Sequence, residues 1–195
     1  WYADANAALR DLRREVDKVI LIGLSMGGLV ANHLAAAHRD DVIGVVSVAA
    51  AMRFHYKHAD RARYVAPMLG MWGDENRDMG AGWYDKETGR QHGNYRRFPA
   101  PAFVSLWRYA KVVEQQLPRI TAPILIIHSH QDRTIPTSAA EAIYRQVGSS
   151  DKQLLWFDKS GHEMLRDGES PAVLDAVEQF VLHHRAHYQS STNKE

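Results

Sequence analysis

The sequence contains no cysteine. That excludes disulfides, thiolate nucleophiles and zinc–thiolate sites, and it fits a reducing compartment, so a cytoplasmic setting is expected. No apolar run comes near the roughly 20 residues needed to cross a bilayer. The opening stretch, Trp1 to Val16, is charged and amphipathic and lacks the build of a signal peptide. There is no excess of one charge: 24 Lys and Arg face 23 Asp and Glu, for a net charge of +1. This argues against nucleic acid or an anionic membrane as a partner. What remains is a globular composition, 45% hydrophobic and 24% charged over 195 residues, enough for one domain with a core.

Four segments read as strands covered on both faces: Lys18–Gly23, Val42–Val48, Ile124–Ser129 and Gln153–Asp158. The first three are near-continuous apolar runs, the pattern of buried parallel strands. Helical patterns alternate with them. Tyr2, Ala5, Leu9 and Leu12 share one face of an opening helix that the chain enters at once. Met26–His38 and Ser138–Val147 follow strands, the latter with Thr137 as the expected N-cap. Ser170 and Pro171 open a last helix with the apolar face Val173, Leu174, Val177, Phe180 and Val181. Its end carries His183, His184 and His187, read as partners of the C-terminal helix dipole or as surface residues. The closing "QSSTNKE" reads as a disordered tail. Strand alternating with helix predicts an α/β protein with a parallel sheet and flanking helices.

Residues 52–110 break this rhythm. They show no strand signal and are too long for a plain loop. Phe103, Leu106, Trp107 and Ala110 mark a helix at their end. Met52, Met68, Leu69, Met71, Trp72, Trp83 and Tyr84 supply adaptable apolar surface. The segment reads as an insertion, either a small helical satellite core or a cap over a site. The expected organisation is a core of residues 1–51 and 111–195 with a cap or lid at 52–110.

The chemistry-bearing stretch is "VILIGLSMGG". Gly23-Leu24-Ser25-Met26-Gly27 fits G-x-S-x-G, a pattern whose weight comes from its place between a strand and a helix. A serine on that corner sits in strained backbone with its hydroxyl exposed. Gly23, Gly27 and Gly28 let neighbouring backbone approach, and the helix N-terminus aims its dipole at the reaction centre. A hydroxyl needs a base, and the base needs an orienting acid. Asp132 lies just past the third strand and His162 just past the fourth, in the order Ser, Asp, His that such an elbow predicts. Strand C-terminal ends are where α/β sheets hold their sites. Taken singly, each has a plainer reading: a solvated Ser in a tight turn, an Asp in a loop turn, an ordinary loop His.

His128-Ser129-His130-Gln131-Asp132 also spells H-x-H-x-D, as in metallo-β-lactamase-like hydrolases. That motif continues with a His where Arg133 stands here, and a metal reading leaves Ser25 and His162 unexplained. No metal and no cofactor is expected.

"GLSMGG", "PILIIHSHQDRTIP" and "WFDKSGHEML" together resemble the α/β-hydrolase carboxylesterases of thermophilic bacilli and the bacterial monoacylglycerol lipases. The likeness covers nearly the whole chain and is weakest across the cap. It implies the α/β-hydrolase fold, with Ser25 as nucleophile, His162 as general base and acid, and Asp132 as its orienting group. Met26 is implied as the donor of one backbone oxyanion N–H. The implied substrate is a small-molecule ester, carboxylic or monoacylglycerol, of short to medium chain. Rival readings are a thioesterase, C–C hydrolase or acyltransferase on the same residues, or a non-catalytic truncated hydrolase serving as an interaction module. Family members carry further strands ahead of the opening helix, with a loop that donates the second oxyanion N–H. The expectation is therefore that an N-terminal segment or a second chain covers the edge of the Val19–Gly23 strand.

Overall fold

The structure is a computed structural model and describes residues 1–55, 70–73, 75, 76 and 78–192. Met68 and Leu69 of the insertion, and the side chain of Trp72, lie outside the described residues.

Helix α1 (Tyr2–Leu12) leads into strand β1 (Val19–Leu24), helix α2 (Met26–Ala37) and strand β2 (Val42–Val48). The insertion contributes β3 (Met71–Gly73), a 3-10 turn (Met79–Gly82), α3 (Lys86–Gln91) and β4 (Arg97–Pro99). Then follow α4 (Ala100–Gln116), β5 (Ile124–Ser129), α5 (Ser138–Gln146), β6 (Lys152–Phe157) and α6 (Ser170–Thr192).

Among the described residues β1, β2, β5 and β6 form one parallel sheet in the order β1-β2-β5-β6. Successive side chains on its central strands point to opposite faces. Val45, Ile124 and Ile126 enter a core with Leu9 of α1, Leu29 and Leu34 of α2, Val113 of α4 and Ile143 of α5. Val46, Val48, Leu125 and Ile127 enter the opposite core with Val173 and Phe180 of α6. The result is three layers, with four helices on one face and the last helix on the other. β1 is an edge strand, and Ile22 on it is half exposed. No described helix is long and apolar enough to cross a membrane.

Several local expectations are corrected. The insertion holds a pair of antiparallel three-residue strands, Met71↔Pro99 to Gly73↔Arg97. They are too short to produce an alternation that the sequence could display. Met52 is buried in the main core rather than on an adaptable surface. Leu12 and Leu174 face solvent, because their helices bury narrower stripes than the wheel suggested. Thr137 has helical backbone and makes no side-chain cap bond. The last helix does not stop at His187. It runs to Thr192, with the Ser190 and Ser191 hydroxyls donating back to the His187 carbonyl. His184 is buried against Phe180 rather than at the surface. α4 runs unbroken across residue 110, and its Val104, Ala110 and Val113 are all buried.

Candidate active site

β1 is driven into the sheet by its apolar run and ends at Leu24. α2 begins two residues later at Met26. Ser25 makes the whole corner, with φ 56° and ψ −117°, a conformation that L residues rarely adopt. The strain is held by hydrogen bonds on both sides. The Ser25 N–H donates to the Val48 carbonyl at 2.9 Å, and the Ser25 carbonyl accepts from Ala51 at 3.2 Å and Leu29 at 3.3 Å.

Two of the three glycines are sterically required. A Cβ on Gly23 would lie 2.2 Å from the Gly27 carbonyl oxygen, and one on Gly28 would lie 2.8 Å from Ala50 Cβ. Gly27 differs from the expectation, because a Cβ there would meet nothing within 4 Å. The first turn of α2 leaves its N–H groups without intrahelical acceptors, and Met26 is the first residue of that turn.

Asp132 sits in the loop after β5. Its Oδ1 accepts from the N–H groups of Thr134 at 2.7 Å and Ile135 at 2.9 Å, an Asx-type turn that fixes the carboxylate. Its Oδ2 is 2.8 Å from His162 Nδ1. Burial pushes the Asp132 carboxyl up. The His162 hydrogen bond and charge and the Ile135 and Thr134 N–H groups outweigh it and hold the group below the ordinary carboxylate range. His162, in the loop after β6, places Nε2 2.8 Å from Ser25 Oγ.

The structure thus brings Ser25, His162 and Asp132 into one continuous chain of hydrogen bonds. An ionised Asp132 accepts only, so Nδ1 carries the imidazole proton and Nε2 presents its lone pair to the Ser25 hydroxyl. That arrangement can take a proton from Oγ while the buried carboxylate stabilises the resulting imidazolium.

The two histidines of the H-x-H-x-D stretch are used differently. His128 is fully buried, and its Nε2 donates to the Ile135 carbonyl at 3.1 Å. His130 is exposed, bonds Asp158 at 2.8 Å and stacks on Trp156. Among the described residues no group of three or more His, Asp or Glu is arranged to hold a metal ion.

A cavity of about 270 Å³ opens beside His162, walled by Met79, Trp83, Tyr95 and Phe98 with His92, Asn94, Thr134 and Glu163 at polar positions. The insertion therefore forms most of the wall that faces His162. Sequence reasoning did not single out Asp167, which joins this wall to the His162 loop. An Asp-Gly pair signals a turn, but its partners Asp85 and Tyr84 lie 82 and 83 residues away and leave no sequence signal.

Comparison with known proteins places the chain among serine hydrolases. The family described as Serine aminopeptidase, S33 (Hydrolase_4) matches residues 1–169. The chain is 26% identical over 185 residues to a thermostable monoacylglycerol lipase of a Bacillus species, covering 94% of this chain and 70% of that protein. It is 26% identical over 174 residues to a monoacylglycerol lipase of Mycolicibacterium smegmatis, covering 85% of this chain and 62% of that one. A solved structure described with the metagenome-derived lipolytic enzymes LipS and LipT superposes with a TM-score of 0.82 at 29% identity, covering 94% of this chain and 73% of that one. With a strained serine corner between β1 and α2, a parallel sheet and a family match over most of its length, the chain belongs to the Serine aminopeptidase, S33 family of serine hydrolases and has the α/β-hydrolase fold.

Proposed function

We propose that the chain is a carboxylic ester hydrolase, acting on short- to medium-chain carboxylic or monoacylglycerol esters through Ser25, His162 and Asp132. The observation that carries this is the pair of 2.8 Å contacts running from Ser25 Oγ through the imidazole to Asp132. The lipase names of its relatives support the substrate class.

In this reading His162 Nε2 takes the Ser25 proton as Oγ bonds to the ester carbonyl carbon. The tetrahedral oxyanion rests on the Met26 N–H. The imidazolium then passes its proton to the departing alkoxide, the C–O ester bond breaks, and an acyl-Ser25 remains. Water enters by the reverse proton path and releases the acid. Residues 52–110 serve as the cap, and the apolar walls of the cavity beside His162 receive one arm of the ester. No cofactor takes part in these steps. The edge strand β1 is covered by an upstream segment or a second chain, which also brings the second oxyanion donor. The lack of cysteine supports a cytoplasmic setting.

A fluorophosphonate probe and a panel of esters test the reading. The wild-type chain is expected to label, with Ser25→Ala and His162→Ala silent, and to prefer p-nitrophenyl esters or monoacylglycerols over acyl-CoA. Preference for acyl-CoA makes it a thioesterase. Absence of labelling makes it an interaction module.

A further inference from the structure

Asp167 is 3% exposed, yet among the described residues it forms no ion pair. Its charge is met by four backbone N–H groups. Oδ2 accepts from Gly161 at 2.6 Å and Tyr84 at 2.8 Å. Oδ1 accepts from Asp85 and Gly168, both at 2.8 Å. A carboxylate so satisfied is costly to remove, because each of these N–H groups then loses its acceptor.

The four donors come from two parts of the chain. Gly161 directly precedes His162. Tyr84 and Asp85 belong to the insertion and directly follow Trp83, which walls the cavity beside His162. The two segments touch without room for adjustment, since a Cβ on Gly161 would lie 2.0 Å from the Gly82 carbonyl oxygen. Asp85 in turn starts α3 by accepting from Glu87 and Thr88, so the anchored turn is continuous with a helix of the insertion.

The geometry points to Asp167 as a positioning residue that fixes the His162 loop and the cap wall to each other through one buried carboxylate. The inference rests on the reading of His162 as the base. Asp167 touches no reacting atom. It acts by holding the backbone on which the imidazole rides and the turn that carries Trp83, so loosening either loosens both.

The test is Asp167→Asn, which keeps the shape but offers one accepting oxygen where two were used and turns a donor toward N–H groups. Activity is measured on a p-nitrophenyl ester per fluorophosphonate-titrated site, so that unfolded chains do not count. Asp78→Asn serves as control. Asp78 accepts from Gly80 and pairs with Arg90 within the insertion, and among the described residues no hydrogen bond or ion pair runs from it to the His162 loop.

For Asp167→Asn, kcat per titrated site is expected to fall by about 10²-fold, the scale of a misplaced reacting group. KM is expected to rise, and the downfield proton resonance of the His162–Asp132 hydrogen bond to broaden or shift. Asp78→Asn is expected to leave kcat per titrated site and the resonance unchanged. A lower melting temperature with unaltered kcat per site and unaltered resonance overturns the inference and leaves Asp167 a structural residue only.

If Asp167→Asn does not fold, amide exchange of the wild type decides. Tyr84, Asp85 and Gly161 are expected to exchange together as one protected group, and fast exchange of Tyr84 and Asp85 beside a protected Gly161 overturns the inference. Retained labelling in His162→Ala defeats the reading of the base itself, an outcome distinct from either of these.

Discussion

His128 and Asp132 hold one residue from opposite sides. His128 Nε2 donates to the carbonyl of Ile135 at 3.1 Å, and the N–H of Ile135 donates to Asp132 Oδ1 at 2.9 Å. The buried imidazole therefore closes the loop that presents Asp132 to His162. Its Nδ1 has no hydrogen-bond partner and is sealed from water, so only the neutral ring fits. Burial pushes the His128 imidazole below its ordinary value of 6.5. Below that value the unfolded chain takes up a proton that the folded chain refuses, so stability falls as pH drops through this window. His128→Phe is expected to remove that pH dependence. It also leaves the Ile135 carbonyl unpaired, at a cost of about 1–3 kcal/mol in a urea melt at neutral pH. Unchanged neutral stability in His128→Phe counts against the clasp.

The elbow glycines separate by what surrounds them. Gly23→Ala drives a methyl into the Gly27 carbonyl and is expected to lose about 1–3 kcal/mol or more. Gly27→Ala places its methyl in open space and gains up to about 1 kcal/mol of helix propensity. Thermal melts of the two variants should move in opposite directions, and equal losses would show that the corner is packed in some other way.

Acid should weaken the junction between the end of β2 and α4. Glu114 pairs with Arg53, and hydrogen bonds from Lys111 at 3.1 Å and Gln146 at 3.4 Å complete its surroundings. The Arg53 hydrogen bond leads the causes that hold the Glu114 carboxyl at about 2, well below its ordinary value of 4.5. A depressed carboxyl stabilises the fold above its unfolded value, and that contribution is lost as pH falls from about 4.5 to about 2. Solvent reaches both partners, which keeps the effect on the order of 1 kcal/mol. Wild type should lose more stability than Glu114→Gln across this range, as read by melting temperature at stepped pH.

The Met26 N–H supplies one oxyanion donor in the proposed mechanism, and a single missing donor costs about 10²–10³ in rate. In the proposed reading the segment or second chain that covers the β1 edge brings the second donor, and supplying it is expected to raise kcat by that factor. The same addition should lower the tendency of the β1 edge to self-associate. Full activity from a monomer of 22.1 kDa would rule out the need for any such completion.

Where the physics is local, the sequence was legible. β2 and β5 run over the expected residues, and β1 and β6 shift by a single residue. Apolar runs of that length have nowhere to go but between layers of helices. Ser25, Asp132 and His162 could be found because each follows such a run. Features that depend on distant partners could not be read. The β3–β4 pair is held by six residues, three on each strand. Leu174 is apolar and helical, but which stripe of α6 faces the sheet is set by Val173 and Phe180 meeting β2 and β5. His128 looked like half of a metal motif, and only the folded loop shows it bonded to Ile135. Asp167 gave no signal because its meaning lies in Tyr84 and Asp85.

Ser25 and His162 are separated by 137 positions in the chain. During synthesis the elbow emerges long before the strand that brings the imidazole. Ser25 meets the His162 imidazole only where β6 has paired with β5, so the strained corner and its hydrogen-bond partner are joined by tertiary structure and not by local sequence.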